Sequence, residues 1–209
     1  MINSFFKHLS AAFLVAFILL NLAQASTDNI FDHPLSAKNE QAFIEVQKEQ
    51  AQISHVTGNF TQTRFMKLLS KPLKSSGRFE LSKTQGLKWL QEEPFQSTLI
   101  VTEDSIKQSI EGKTAVVITK KEQPIVFSFT TVFLSIFKGN TDALKQYFKI
   151  YFMQNSDTWH IALKPLGAPL DKAIQSIEMT GTKYASRIFV NESQGNQMLI
   201  EFSNVKAMD

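Results

Sequence analysis

The sequence has 209 residues, 43% of them hydrophobic and 20% charged, with a net charge of +3, 18 Phe, 8 Gly, 6 Pro and no Cys. This composition excludes a disordered tail, a collagen-like or coiled-coil rod, a disulfide-stapled mini-domain and a thiolate metal site. The 22 basic and 19 acidic residues are interspersed and nearly balanced, so they imply no nucleic-acid partner. Phe far outnumbers Tyr at 3 and Trp at 2, which leaves much aromatic surface without a polar handle.

The chain opens with a short region containing Lys7. An apolar run of twelve residues follows, from Leu9 to Leu20, with only Ser10 polar. Ala23-Gln24-Ala25 then supplies the small-x-small pattern of a signal-peptidase site, predicting a secretory signal peptide over 1–25 with cleavage before Ser26. Twelve apolar residues are too few to cross a hydrocarbon core, which needs about 20. Residues 26–209 are expected to form a single domain outside the cytosol. Without a cysteine, that domain is not expected to carry the acyl anchor of bacterial lipoproteins.

Residues 26–37 carry Asp, Asn, Pro and Ser and read as an unstructured lead-in. From 37 to 55, Ala42, Phe43, Val46, Ala51 and Ile53 recur every three to four residues among polar ones, predicting an amphipathic helix with Ser36 as its cap. After Gly58 the pattern becomes one of short strands at 57–68, 76–83, 86–91, 97–103, 105–111 and 114–119, separated by turn signals. A helical face returns at 124–138 with Phe129, Val132, Phe133, Ile136 and Phe137, between Pro124 and Gly139, and 141–145 adds a further helical turn. Five more strands are expected at 147–154, 159–164, 173–180, 185–191 and 197–204. No helix of 10 to 15 residues separates successive strands within either group, which argues against parallel βαβ units and a nucleotide-binding sheet. The fold class is therefore α+β, an antiparallel meander of about eleven strands with helices packed against it.

Motifs for chemistry are missing. The sequence contains no G-x-S-x-G, H-E-x-x-H, P-loop or G-x-G-x-x-G pattern. His33, His55 and His160 are scattered, so neither a metal site nor a catalytic residue is expected. Glu92-Glu93 precedes a Pro and reads as a polar turn. Lys71-Pro72-Leu73-Lys74 and Lys120-Lys121 have the chemistry to touch anionic head groups, but solvated faces are the better expectation. The apolar excess remains: an open, curved sheet of this size cannot fill its own concavity, so large aromatics on helices must plug it. A plug held by apolar contact alone can be displaced by an apolar ligand.

Gly58-Asn-Phe60-Thr-Gln62-Thr-Arg64, Ser76-Gly77-Arg-Phe79-Glu-Leu81, Gly86-Leu87-Lys-Trp89, Pro94 and Thr98-Leu-Ile-Val-Thr-Glu103-Asp104 follow one another in the order and spacing of a known pattern. Trp159-His-Ile-Ala-Leu163-Lys-Pro165, Ile177-Glu-Met, Arg187-Ile-Phe-Val-Asn-Glu192, Gly195-Asn196 and Ile200-Glu-Phe202 continue it. Together, over 38–205, they resemble the LolA family, periplasmic carriers of outer-membrane lipoproteins. The run at 71–77 looks more like a LolA-like branch associated with polyene or glycolipid export than like the lipoprotein carrier proper. The resemblance implies an open, incomplete antiparallel β-barrel with helices as a lid over a hydrophobic cavity, and no enzymatic activity or cofactor. It implies a monomer carrying an acylated lipoprotein or lipid between an inner-membrane donor complex and an outer-membrane acceptor. The alternative on the same scaffold is a lipid-sensing or regulatory module that performs no transfer.

The expected acyl-chain contacts are Phe60, Phe65, Phe79, Leu81, Leu87, Trp89, Leu99 and Val101 from the strands, and Phe129, Phe133 and Phe137 from the second helix. Where the family has a basic turn whose Arg helps hold the lid, this chain has Lys83-Thr84. Lys83 is thus the expected latch, a point donor without the bidentate fork of Arg.

Overall fold

The computed structural model describes residues 28–122 and 141–208. The expected signal peptide and the expected helix at 124–138 lie outside the described residues. The strands are β1 (His55–Phe65), β2 (Leu73–Ser82), β3 (Gly86–Glu93), β4 (Ser97–Val101), β5 (Ser105–Ile110), β6 (Lys113–Thr119), β7 (Phe148–Asn155), β8 (Thr158–Pro165), β9 (Ile174–Gly181), β10 (Ala185–Glu192) and β11 (Gln197–Ala207). The helices are α1 (Glu40–Gln52) and α2 (Thr141–Tyr147).

All eleven strands lie in one sheet, in the order β6-β5-β4-β3-β2-β1-β11-β10-β9-β8-β7. Every neighbouring pair is antiparallel. Two meanders, β1–β6 and β7–β11, are therefore joined by the pairing of β1 with β11. The sheet order ends at β6 on one side and β7 on the other, so the barrel is not closed.

Period-two alternation fixes which side chains enter the concavity. In β1 the even positions Val56, Gly58 and Phe60 are buried. The register carries this face across to Phe79 and Leu81, to Leu87 and Trp89, and to Leu99 and Val101. Gly58 is required by its neighbour: a Cβ there would stand 2.8 Å from the Phe79 ring. Gly86 sits at φ 79° in the β2–β3 turn, a left-handed conformation open to glycine, and a Cβ would meet the Val101 carbonyl oxygen.

Helix α1 fills only one half of the concavity. Phe43 and Val46 pack with α2 Leu144 and with Phe148, Phe152, Ile161, Leu163, Met179 and Ile188 of β7–β10. Phe43 meets Phe152 edge-on at 5.5 Å. The smaller cluster on the β1–β4 side is centred on Val56, Phe79, Leu87 and Val101.

The lead-in is not unstructured, which corrects the expectation from its composition. Asn29 accepts a hydrogen bond from the Phe31 N–H and caps a 3₁₀ turn at Ile30–Asp32. Ile30 is buried beside Tyr151 and Ala162 on the outer face of β7 and β8. Phe31 meets Tyr151 edge-on at 5.2 Å, with the Lys164 ammonium 4.0 Å over the Phe31 ring. Beyond the turn, the Leu35 N–H donates to Ile150 O at 2.9 Å and the Phe152 N–H to His33 O at 3.0 Å. These bonds satisfy backbone groups of β7 that a free edge would leave unpaired. The polar composition of 26–37 conceals three apolar anchors, Ile30, Phe31 and Leu35.

Asn39 is the hinge of this arrangement and the reason α1 begins three residues later than the periodicity indicates. Its Oδ1 accepts from the Ser36 N–H at 2.8 Å, while its Nδ2 donates to Phe152 O at 3.0 Å and to Pro34 O at 3.4 Å. Replacing Asn39 by Ala leaves these backbone partners unsatisfied and is expected to cost about 1–3 kcal/mol. A lower thermal midpoint, with faster proteolysis of residues 28–39 at temperatures where the sheet remains folded, is the expected result in melting and limited-digestion measurements.

Candidate functional site

An apolar cavity lies between the C-terminal end of α1 and the inner face of the sheet. Phe79, Leu81, Leu87 and Trp89 form its wall from β2 and β3, and Tyr184 of the β9–β10 turn with Phe202 and Val205 of β11 form the other. Ile53 and Ser54, just past α1, close it. Its volume is about 60 Å³, room for roughly four water-sized groups. A wider, half-polar recess of about 680 Å³ adjoins it, sharing Ile53, Ser54 and Tyr184 and reaching Glu49, Asp157 and Lys183.

The wall is built from stacked aromatics. Phe60 lies against Trp89 at 3.7 Å between centroids with 25° between the planes, and Phe79 meets Phe202 edge-on at 5.0 Å. Of these four rings Trp89 alone carries a polar handle, its indole N–H, while Tyr184 brings a phenolic ring to the same wall. The attraction is dispersive and tolerant of the identity of an apolar neighbour.

The structure brings most of the expected residues together. Phe79, Leu81, Leu87 and Trp89 line the cavity. Leu99 and Val101 stand opposite Trp89 and Leu87 on β4 and pack in the same cluster. Phe60 is buried beneath Trp89. Phe65 departs from the expectation: the odd positions of β1 face outward, and its side chain is 42% exposed. Phe129, Phe133 and Phe137 lie outside the described residues.

More than half of the lining escaped the sequence pattern. Tyr184, Phe202 and Val205 come from the far end of the chain, and only the pairing of β1 with β11 brings them beside β2. Strict alternation would also put Phe202 and Val205 on opposite faces. The register of β11 shifts against β1 between Thr57 and Asn59, and Asn204 sits there at φ 53°, so residues on both sides of the bulge turn inward.

Three hydrogen bonds hold the end of α1 over the cavity. The Lys83 ammonium donates to Ala51 O. The Lys83 N–H donates to Ser54 O at 3.0 Å. On the other side, Gln50 Nε2 donates to Lys183 O at 2.9 Å. The end of α1 is thus fastened to both the β2–β3 and the β9–β10 turns. Each such bond contributes about 1 kcal/mol net, and those made by the Lys83 and Gln50 side chains are exposed to water.

Farther along the inner face, toward the end of β1, the lining turns polar. Gln62, Arg64 and Ser75 follow Phe60 in the same register, and Arg64 pairs with Glu192 of β10 at 2.7 Å. The Gln47 amide, Arg64 Nε and Ser75 Oγ are buried and have no hydrogen-bond partner among the described residues. The histidines face carboxylates instead of one another: His33 lies 2.9 Å from Asp28, His55 2.9 Å from Glu80, and His160 3.3 Å from Glu178. Among the described residues no three His, Cys, Asp or Glu side chains are grouped to hold a metal ion.

Residues 51–209 match the family model described as outer membrane lipoprotein carrier protein LolA. In solved structures the chain is similar to a LolA superfamily protein from Nitrosomonas europaea, at 8% identity and a TM-score of 0.45, covering 81% of this chain and 93% of that one. It is also similar to a DUF1329 family protein from Desulfovibrio piger, at 8% identity and a TM-score of 0.42, covering 80% and 92% of the two chains. No curated protein matches the sequence.

Substituting Lys83 by Met keeps the side-chain length and removes the ammonium donor. Amides at 50–54 should then exchange up to about fivefold faster, the equivalent of one hydrogen bond of about 1 kcal/mol. The thermal midpoint should change little. Unchanged exchange would mean that Lys83 does not hold α1.

Proposed function

The chain belongs to the LolA family, and from that footing we propose that it is a periplasmic carrier that accepts the acyl chains of a lipid or lipoprotein in the cavity beneath α1 and moves them from the inner towards the outer membrane. The observation that carries this reading is the apolar cavity itself, walled by ring faces and closed by one end of a helix that three hydrogen bonds hold in place.

The energetics fit a carrier better than a permanent binder. A chain of about fifteen methylenes gains roughly 12 kcal/mol on leaving water, at ~0.8 kcal/mol each. Three hydrogen bonds at about 1 kcal/mol each offer little resistance to that. The apolar cavity alone has room for few of these groups, so a full chain enters either by extending into the adjoining recess or by movement of the end of α1 away from the β2–β3 turn. Once the chain is inside, its transfer to a bilayer exchanges one apolar environment for another. The return of α1 and the aromatic cluster to their closed packing then favours release.

In this scheme Phe79, Leu81, Leu87 and Trp89 contact the chain, Phe60, Leu99 and Val101 support that wall, and Lys83 acts as the latch. The half-polar recess beside the cavity, with Glu49, Asp157 and Lys183, has room for the polar end of the cargo.

Protein purified from intact envelopes should carry acylated material that native mass spectrometry and organic extraction detect. Leu81→Asp places a carboxylate in the cavity wall and is expected to abolish this co-purification, whereas Lys88→Ala, on the exposed face of β3, should leave it intact. No lipid on the unsubstituted protein, or equal lipid on the Leu81→Asp variant, would overturn the reading.

A further inference from the structure

At the end of the sheet away from the cavity, the β1–β2 hairpin protrudes as a surface of a different kind. From Phe65 to Lys74 every residue except Met66 is exposed. Leu68 at the tip is 93% exposed, and Leu69 and Leu73 are 45% and 52% exposed. Single exposed leucines are ordinary on protein surfaces, but four large apolar side chains on one ten-residue hairpin are not. Phe95, in the neighbouring β3–β4 turn at the same end of the sheet, adds a further ring at 51% exposure.

The charge on this hairpin has one sign. The run Arg64-Phe-Met-Lys67-Leu68-Leu69-Ser-Lys71-Pro-Leu73-Lys74 contains four cations and no acid. Arg64 is neutralised by Glu192, but no ion-pair partner is present for Lys67, Lys71 or Lys74 among the described residues. Of the nearest acids on β3, Glu92 is paired with Arg78 at 2.7 Å, and Glu93 stands opposite Ser76, below the tip. The tip is also held in place. The Lys67 N–H donates to Asn196 Oδ1 at 3.2 Å, and its side chain lies close against Gly195, where a Cβ would come within 2.4 Å of Nζ.

We propose that the β1–β2 hairpin is a membrane-docking device, with Leu68, Leu69 and Leu73 entering the head-group region of an anionic phospholipid bilayer while Lys67, Lys71 and Lys74 meet its phosphates. The basic, acid-free charge argues for this surface over a second protein, because exposed leucines flanked only by lysines complement an interface that is apolar beneath an anionic layer. One hairpin provides few apolar groups, so adsorption is reversible and depends on salt. This inference does not rest on the carrier reading, since adsorption requires no occupied cavity.

The test is sedimentation of the purified protein with vesicles of phosphatidylethanolamine and phosphatidylglycerol at 3:1, against vesicles of phosphatidylcholine alone. The expected result is binding to the anionic vesicles that weakens between 50 and 300 mM salt and is absent from the neutral ones. Each lysine near such a surface contributes roughly a fivefold factor, so Lys71→Gln with Lys74→Gln should lower binding about 25-fold and remove most of the salt dependence. Leu68→Glu should lower it at least about tenfold at every salt concentration. Both variants change exposed side chains, and circular dichroism melts should match the unsubstituted protein. Equal binding of the variants and the unsubstituted protein, or no binding by the latter, would overturn the proposal. So would concentration-dependent self-association that Leu68→Glu abolishes, without vesicle binding, because that outcome assigns the tip to a protein partner. Lipid co-purification with the Leu68→Glu variant should persist, which separates failure of docking from failure of the carrier reading.

Discussion

The width of the sheet's concave face against the width of one helix is the constraint on which the rest of the structure depends. Eleven strands present two apolar inner surfaces, β7–β10 and β1–β4, and α1 commits its buried residues Phe43 and Val46 to the first. A helix about 10 Å across cannot cover both. Among the described residues no other helix covers the second surface, and there Phe60, Trp89, Phe79 and Phe202 stack on one another from the strands. Packing of that kind leaves residual space where α1 ends and the sheet continues, and the cavity lies there. Its position therefore follows from which half of the sheet the helix covers.

The number of strands among the described residues was legible, and their boundaries to within about three residues, because most strands end in turn chemistry that has a physical meaning on its own. Gly86 must adopt a left-handed conformation, and Gly112 and Gly195 do the same in their hairpins. The wall residues of β2–β4 were legible because alternation persists through them, the β2–β3 register shifting only beyond them, between Ser76 and Gly77. Long-range consequences were not legible. Nothing near Phe202 reveals that it will face Phe60, because that contact depends on the first strand pairing with the last. Nor does the pattern around Asn204 disclose a bulge that turns both Phe202 and Val205 inward. Phe65 misled for the related reason that its identity is apolar while its position in β1 is odd. The lead-in was misjudged because edge protection of β7 uses backbone hydrogen bonds, which leave no trace in composition.

Polar groups inside the sheet qualify the picture of a purely apolar interior. Gln47 on α1 and Ser75 on β2 are buried without partners among the described residues, as is Arg64 Nε beside its ion pair. Leaving such a group unsatisfied costs about 1–3 kcal/mol, and none of the three lines the apolar cavity. The inner face is thus apolar at the cavity and polar farther along β1 and β2.

The proposed docking hairpin and the proposed carrier cavity lie at opposite ends of the sheet. Strand β1 begins at His55, beside the cavity mouth, and ends at Phe65, where the basic hairpin starts. Its eleven residues span about 35 Å at the rise of an extended strand. A molecule adsorbed through the hairpin tip accordingly holds the mouth of its cavity well above that bilayer, beyond the reach of an acyl chain still embedded in it. If the tip docks and the cavity carries, adsorption and chain transfer are separate events, and the second requires a protein at the mouth to hand the chain over. The exposed bonds from Lys83 and Gln50 lie at that mouth, where such a partner could compete for them and release the end of α1.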